Sequence, residues 1–386
     1  MKSTKFAFWL LGTLPLAAPA ANAPPVISIT PMPEAPIVET RGSNNFVNFD
    51  LVVRNQSPMT LRLAKLQISV YDQHHALVQS RALNTDAFTP SIAVLGKQVM
   101  APGEALDVFN PFAEFEAQVP LDELRFTFCL QREDGVFERG RNLHRLPDDC
   151  DYEVSASVTP SFYQTKTPLI LPLRGKLFVW EGHDFYAHHL RVPFSDPRVA
   201  ALGIQADSND FAMDFIYTDD EGHAYHDDPR KLQNWYSYGK PVFAPGAGTV
   251  IAIANDIPDN RFANQAATKI EYPKLPVGKD PNDIGNFVLI DHGNGEFSLL
   301  IHMQAGSVRV RPGERVSAGD PLGAIGFAGD SIFPHLHYSL MQGPQVTKAW
   351  GIPAYFSNFR RLYGAESVAI AHGTVNSGDF VERQEQ

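Results

Sequence analysis

The sequence predicts an all-β protein, with an N-terminal immunoglobulin-like sandwich followed by an antiparallel sheet domain bent into a groove. Three observations carry this. Apolar and polar residues alternate with a period of two over many short runs, as half-buried strands require. The 30 prolines and 28 glycines are spread along the 386 residues and punctuate those runs. Long stretches of 3.6-residue periodicity, the mark of amphipathic helices, are few. A chain of this length holds two or three domains and buries a sizeable core. Its net charge of −11, with no long basic block, argues against nucleic acid as a partner, because phosphates demand a positive surface.

Residues 1–23 read as a signal peptide. Lys2 and Lys5 give a positive start, residues 6–16 an apolar stretch, and Ala18-Pro19-Ala20 or Ala21-Asn22-Ala23 a small-residue cleavage site. That stretch is short for a membrane span, and no later run reaches the ~18 apolar residues a span needs. No cysteine follows for lipid attachment. The expectation is an exported protein of the periplasm or extracellular cell envelope, with no membrane span.

Residues 24–155 form the expected sandwich. Strands are predicted over 45–53, 61–71, 77–83, 104–109 and 124–130, with Asn55-Gln56-Ser57-Pro58 and Ala101-Pro102-Gly103 among the turns. His74-His75 falls in a hairpin turn. With no catalytic constellation, this module is expected to position the chain, touch the wall or bind an envelope protein partner. The two cysteines, Cys129 and Cys150, either close one disulfide loop of about 20 residues, worth roughly 3 kcal/mol in the chain-entropy model, or remain thiols with Cys129 buried in its strand.

Residues 156–352 form the second expected domain. In Phe211-Ala212-Met213-Asp214-Phe215 an alternating apolar run would bury a carboxylate, which is costly unless it is paired or binds a metal. His302 closes the apolar run Leu299-Leu300-Ile301. In His335-Leu336-His337 the imidazoles are two residues apart on a predicted strand, so both project from one face. Neutral imidazole is a common zinc ligand. Each feature alone has a plainer reading, as a solvent-facing aspartate or a hydrogen-bonded core histidine. His292 precedes the turn Gly293-Asn294-Gly295 and belongs beside the site rather than in it, and His223 and His226 lie in a polar loop. The polar insert 255–283 is placed to wall a groove. Beyond residue 353 the apolar pattern weakens, and 353–386 reads as a C-terminal tail with 377–386 frayed.

The order of these pieces resembles the lysostaphin- or LytM-type zinc endopeptidases, which cut peptide cross-links of the cell wall. Besides Phe211-Ala212-Met213-Asp214-Phe215 and His335-Leu336-His337, the resemblance rests on Gly239-Lys240-Pro241-Val242-Phe243-Ala244-Pro245-Gly246, Gly285-Asn286-Phe287-Val288-Leu289-Ile290-Asp291-His292-Gly293, Leu300-Ile301-His302-Met303 and the turn-rich segment from Val308 to Gly323. It covers roughly a third of the chain, 209–341. It implies that Asp214 and His337 bind Zn2+, that His302 and His335 assist the attacking water and stabilise the oxyanion, and that peptidoglycan is the substrate. One departure bears on the third ligand. The family writes a histidine four residues before the aspartate, and here that position is Asp210. The favoured alternative is His189, from the upstream pair His188-His189; Asp210 as ligand, or a degenerate site that recruits or activates another wall hydrolase, remain open.

Overall fold

The computed structural model describes residues 26–86, 90–133, 146–263, 269–274 and 284–384. The expected signal peptide and part of the 255–283 insert lie outside the described residues. The architecture is all-β but for short connections, and among the described residues the named strands pair antiparallel except for one short parallel pairing.

In the N-terminal half, a three-stranded sheet runs in the order Ile27–Met32, Asp50–Asn55, Ala105–Phe109. A second sheet runs Tyr152–Val158, Glu123–Arg132, Leu61–Tyr71, Leu77–Asn84, with Val99–Met100 beside the third of these. The alternation seen in the sequence does the packing. Leu51 and Val53 from the first sheet, and Leu66, Ile68, Phe126 and Phe128 from the second, share one core. His75 lies at φ +59° in the turn closed by Asp72 N–H to the Ala76 carbonyl. Cys129 and Cys150 are joined in a disulfide with Cα atoms 5.2 Å apart, tying the strand Glu123–Arg132 to the turn that leads into its partner Tyr152–Val158.

A second core underlies a ten-stranded sheet. Its first five strands are Arg315–Val316, Gly248–Ala254, Asn286–Asp291, Phe297–Met303 and Leu336–Met341. The sheet continues with Met213–Ile216, Lys176–Glu181, Phe380–Arg383, Phe356–Tyr363 and Glu366–Gly373. Met213, Phe215, Leu336, Tyr338 and Leu340 enter the core, so the alternate residues Asp214, His337 and Ser339 are turned to the opposite face.

The end of the chain departs from the expected tail. Phe356, Phe359, Val375 and Val381 are fully buried in the second core, and three of the ten strands come from residues 356–383. Charged residues such as Arg360 and Arg361 interrupt the apolar spacing, and Glu366–Gly373 is a mostly exposed edge strand, so the apolar signal is thin there.

The described part of the insert braces the segment leading to His335. Asn260 Nδ2 donates to the carbonyls of Gly329 and Ser331 at 2.7 and 3.3 Å. Gly285 and Gly329 pass close together at φ +89° and +78°; a Cβ on Gly329 would lie 2.4 Å from Gly285 N. Only glycine tolerates both that backbone conformation and that approach.

Candidate metal centre

Neighbouring strands set the site out as a row. Glu181 pairs with Asp214, Asp214 with His337, and His337 with Ile301, next to His302. Two bulges adjust the row. Asn286 and Phe287 pair with Met303 and Ile301, leaving His302 as the extra residue at φ +64°. Val179 and Glu181 pair with Phe215 and Asp214, leaving Trp180 as the extra residue. A bulge bends its strand and re-aims a side chain, which here directs His302 toward the other histidines: its ring centroid lies 4.7 Å from that of His335 and 6.0 Å from that of His337.

His189, Asp214, His302, His335 and His337 are all buried, at 4–7% exposure. His189 arrives from the short turn His188–Leu190, outside the strands. Its Nε2 is 3.7 Å from Asp214 Oδ2, and His337 Nδ1 is 3.1 Å from Asp214 Oδ1. One ligand atom from each of His189, Asp214 and His337 falls within 4.8 Å of the other two. His335 Nε2 lies 3.4 Å from Asp214 Oδ1, and its Nδ1 donates to the Phe333 carbonyl at 2.8 Å. His302 Nδ1 donates to the Ala328 carbonyl at 2.8 Å, which leaves Nε2 as the unprotonated nitrogen.

The electrostatics separate these groups. Burial alone would raise Asp214, but the charges of His335 and His189 and hydrogen bonds from His335 and His337 hold it well below the carboxylate range. Burial drives His189 down to about 3 despite Asp214, and pushes His302 well below its ordinary value, helped by repulsion from His335 and His337. Both rings are therefore neutral at neutral pH. Burial opposes protonation of His335 too, yet the charge and hydrogen bond of Asp214 raise it above an ordinary histidine.

The donor set suits zinc. Two imidazoles and a carboxylate are a catalytic zinc triad by type. The His337 and His189 nitrogens lie 3.1 and 3.7 Å from the two Asp214 oxygens, and one ligand atom of each residue falls within 4.8 Å of the others, close enough to share one ion. Asp210 is elsewhere, lining a separate cavity of about 350 Å³ with Tyr163, Trp350 and Gly351. His292 bonds Ala247 O and Ser298 Oγ, and His223 and His226 pair with Asp219 and Asp227 in exposed positions, away from the cluster.

The cluster forms the floor of a groove of about 960 Å³. Trp180, Ile332 and Phe333 line one part of its wall, with Ile204, Phe287 and Val346 also contributing. Sequence reasoning passed over Glu181, although a carboxylate ending the apolar run Leu177-Phe178-Val179-Trp180 is the same signal that singled out Asp214.

A buried His/Asp/His set on the floor of a groove is a donor set of the kind that can hold a metal ion. Residues 234–348 match the model of peptidase family M23. The matched stretch contains His302, His335 and His337; His189 and Asp214 precede it. Over 57 residues the chain is 39% identical to the peptidoglycan DD-endopeptidase ShyA of Vibrio cholerae serotype O1, which is 15% of this chain and 13% of that protein. The chain therefore spans a small fraction of that relative. Among solved structures it is similar to the catalytic domain of lysostaphin from Staphylococcus simulans, at 16% identity over 46% of this chain and 86% of that one, TM-score 0.23. A putative M23 peptidase from Pseudomonas aeruginosa is similar at 15% identity over 72% of this chain and 83% of that one, TM-score 0.23.

Proposed function

We propose that this chain is a zinc metalloendopeptidase that hydrolyses peptide cross-links of peptidoglycan in the cell envelope. The observation that carries the reading is the convergence of His189, Asp214 and His337 on one point of a groove floor, with His302 and His335 buried alongside. The first three residues hold the metal. Zinc, when bound, supplies a Lewis acid that polarises a peptide carbonyl and makes water acidic enough to attack at neutral pH.

The chain's own groups handle the protons and the charge. His302, neutral and with its Nδ1 hydrogen committed to Ala328 O, takes a proton at Nε2. His335, with its Nε2 3.4 Å from Asp214 Oδ1 at the edge of the cluster, offsets the negative charge that develops on the carbonyl oxygen. The groove is open enough for a chain segment and apolar enough along its wall to displace water from it. Peptidoglycan as substrate draws on the name of the Vibrio cholerae relative, and an envelope location follows from that substrate. The N-terminal module is read as a contact for wall or partner protein.

The rival reading, a non-catalytic module that activates another wall hydrolase, is motivated by Asp210 standing where the family writes its histidine. It is weakened by His189, which brings a second imidazole to Asp214 from elsewhere. Two measurements separate the readings. Purified chain should hold one zinc per molecule by mass spectrometry and release cleaved muropeptides from peptidoglycan; zinc far below one equivalent sinks the proposal. His189→Ala should lose zinc and cleavage together, whereas Asp210→Ala should keep both. The reverse outcome would make Asp210, Asp214 and His337 the ligand set.

A further inference from the structure

Glu181 is a buried ionisable group beside this site that the proposed reaction leaves without a role. The bulge at Trp180 turns that indole outward, half exposed, and sets Glu181 opposite Asp214. The Glu181 carboxylate is 6% exposed. Its Oε1 accepts the backbone N–H of His188 and, at 3.1 Å, that of His189, while Oε2 takes the ring Nδ1 of His188. Oε1 also lies 3.9 Å from His189 Nδ1, a buried ring nitrogen with no hydrogen-bond partner among the described residues. The opposite nitrogen of that ring faces Asp214. His189 thus stands between two carboxylates, one on each side of its ring.

We propose that Glu181 is a positioning residue, anchoring the His188–Leu190 turn to the sheet and orienting the His189 ring toward the metal. The inference rests on the ligand set proposed above. A ligating histidine almost always gives its second nitrogen to a carboxylate, carbonyl or water, which fixes the ring and raises its basicity. The need is acute for His189. Asp214 and His337 are held by strand pairing on both sides, while His189 sits on a three-residue turn with no side-chain cap of its own. Glu181 supplies that cap from the neighbouring strand.

The test is zinc affinity by competition with a chromophoric chelator, alongside the visible spectrum of the cobalt-substituted protein. Glu181→Gln keeps an oxygen for the turn's N–H groups but loses the charge facing the ring. It should melt like wild type in the presence of chelator, bind zinc about 10–100-fold more weakly and shift the cobalt spectrum. Glu181→Asp, which keeps the charge on a shorter arm, should recover part of the affinity. Wild-type zinc affinity and an unaltered cobalt spectrum in Glu181→Gln would overturn the inference and leave the proposed function standing. A loss of zinc matched by a loss of melting temperature in chelator, with no recovery in Glu181→Asp, would overturn it in favour of a purely structural role. A wild-type chain that binds no zinc overturns both.

Discussion

His302 shows how much one residue's backbone decides at this site. A non-glycine residue at φ +64° is uncommon and costs of order 1–3 kcal/mol, so the surrounding structure must hold it there. The bulge with Asn286 and Phe287 and the bond to Ala328 O do so, and the result is a neutral ring beside His335 and His337. His302 touches none of the proposed ligand atoms within hydrogen-bonding range. His302→Ala should therefore keep its zinc and lower kcat about 10²–10⁴-fold, the usual worth of a general base or acid. Zinc content and steady-state rates on one preparation check this; zinc lost in step with activity would make His302 a ligand. The pair His335 and His337 was legible in the sequence because a strand period of two needs no tertiary information. The use of His189 was only suggested by it, since the fold of the 181–214 segment decides which polar residue reaches Asp214. Glu181 was not picked out, because its partner is a turn whose position no periodicity encodes.

At the level of elements, the strands that read well are those whose apolar alternation is bounded by clear turn signals. Leu61–Tyr71 and Leu77–Asn84 are examples, and their predicted limits differ from the observed ones by a residue at most. The two bulges left no trace in the sequence because they are properties of register, set by the partner strand. The C-terminal strands were missed for a different reason. Phe356–Tyr363 carries few apolar residues, but those few go deep: Phe356 and Phe359 are fully buried, and Phe356 packs against Tyr338 and Phe215 beneath the site. The final strand, Phe380–Arg383, joins this pair to Lys176–Glu181, which carries Glu181. Phe359→Ala should accordingly cost about 3–5 kcal/mol of stability, as deletion of a fully buried phenyl ring does. Urea unfolding of the chelator-treated protein measures it, and a change below about 1 kcal/mol would mean that residues 356–383 contribute little to the core.

The whole molecule is held together across its two cores by polar contacts, several of them ionisable. Glu39 and His183, both fully buried, meet at 2.9 Å, and Arg41 bonds both Glu39 and the His183 carbonyl. Nearby, Ser195 N donates to Asp107 at 2.9 Å, and Arg191 lies 3.8 Å over the Phe109 ring. Asp50 is buried in this junction. Burial first, then repulsion from Asp107 and Asp207, push it up to about 8 against the pull of Arg191. Burial lifts Asp207 to about 7, although backbone N–H groups of Asn209 and Asp210 and the charge of His188 oppose it. The consequence for stability has a definite sign. The unfolded chain releases these protons near pH 4 and the folded chain retains them to pH 7–8, so over that window the folded state binds more protons and loses stability as pH rises. Histidines titrate across the same range in both directions, so the total curve is a poor readout. The difference between wild type and Asp50→Asn isolates the effect, because asparagine carries no charge at any pH. Relative to wild type, Asp50→Asn should gain stability steadily from about pH 4 to about pH 8 and no further above it. Each pH unit crossed in that window is worth about 1.4 kcal/mol, which puts the whole gain on the order of a few kcal/mol. Urea midpoints at pH 5 and pH 8.5 in chelator test it; a difference that stays flat or shrinks with rising pH would show that Asp50 ionises freely and that its burial does not load the junction.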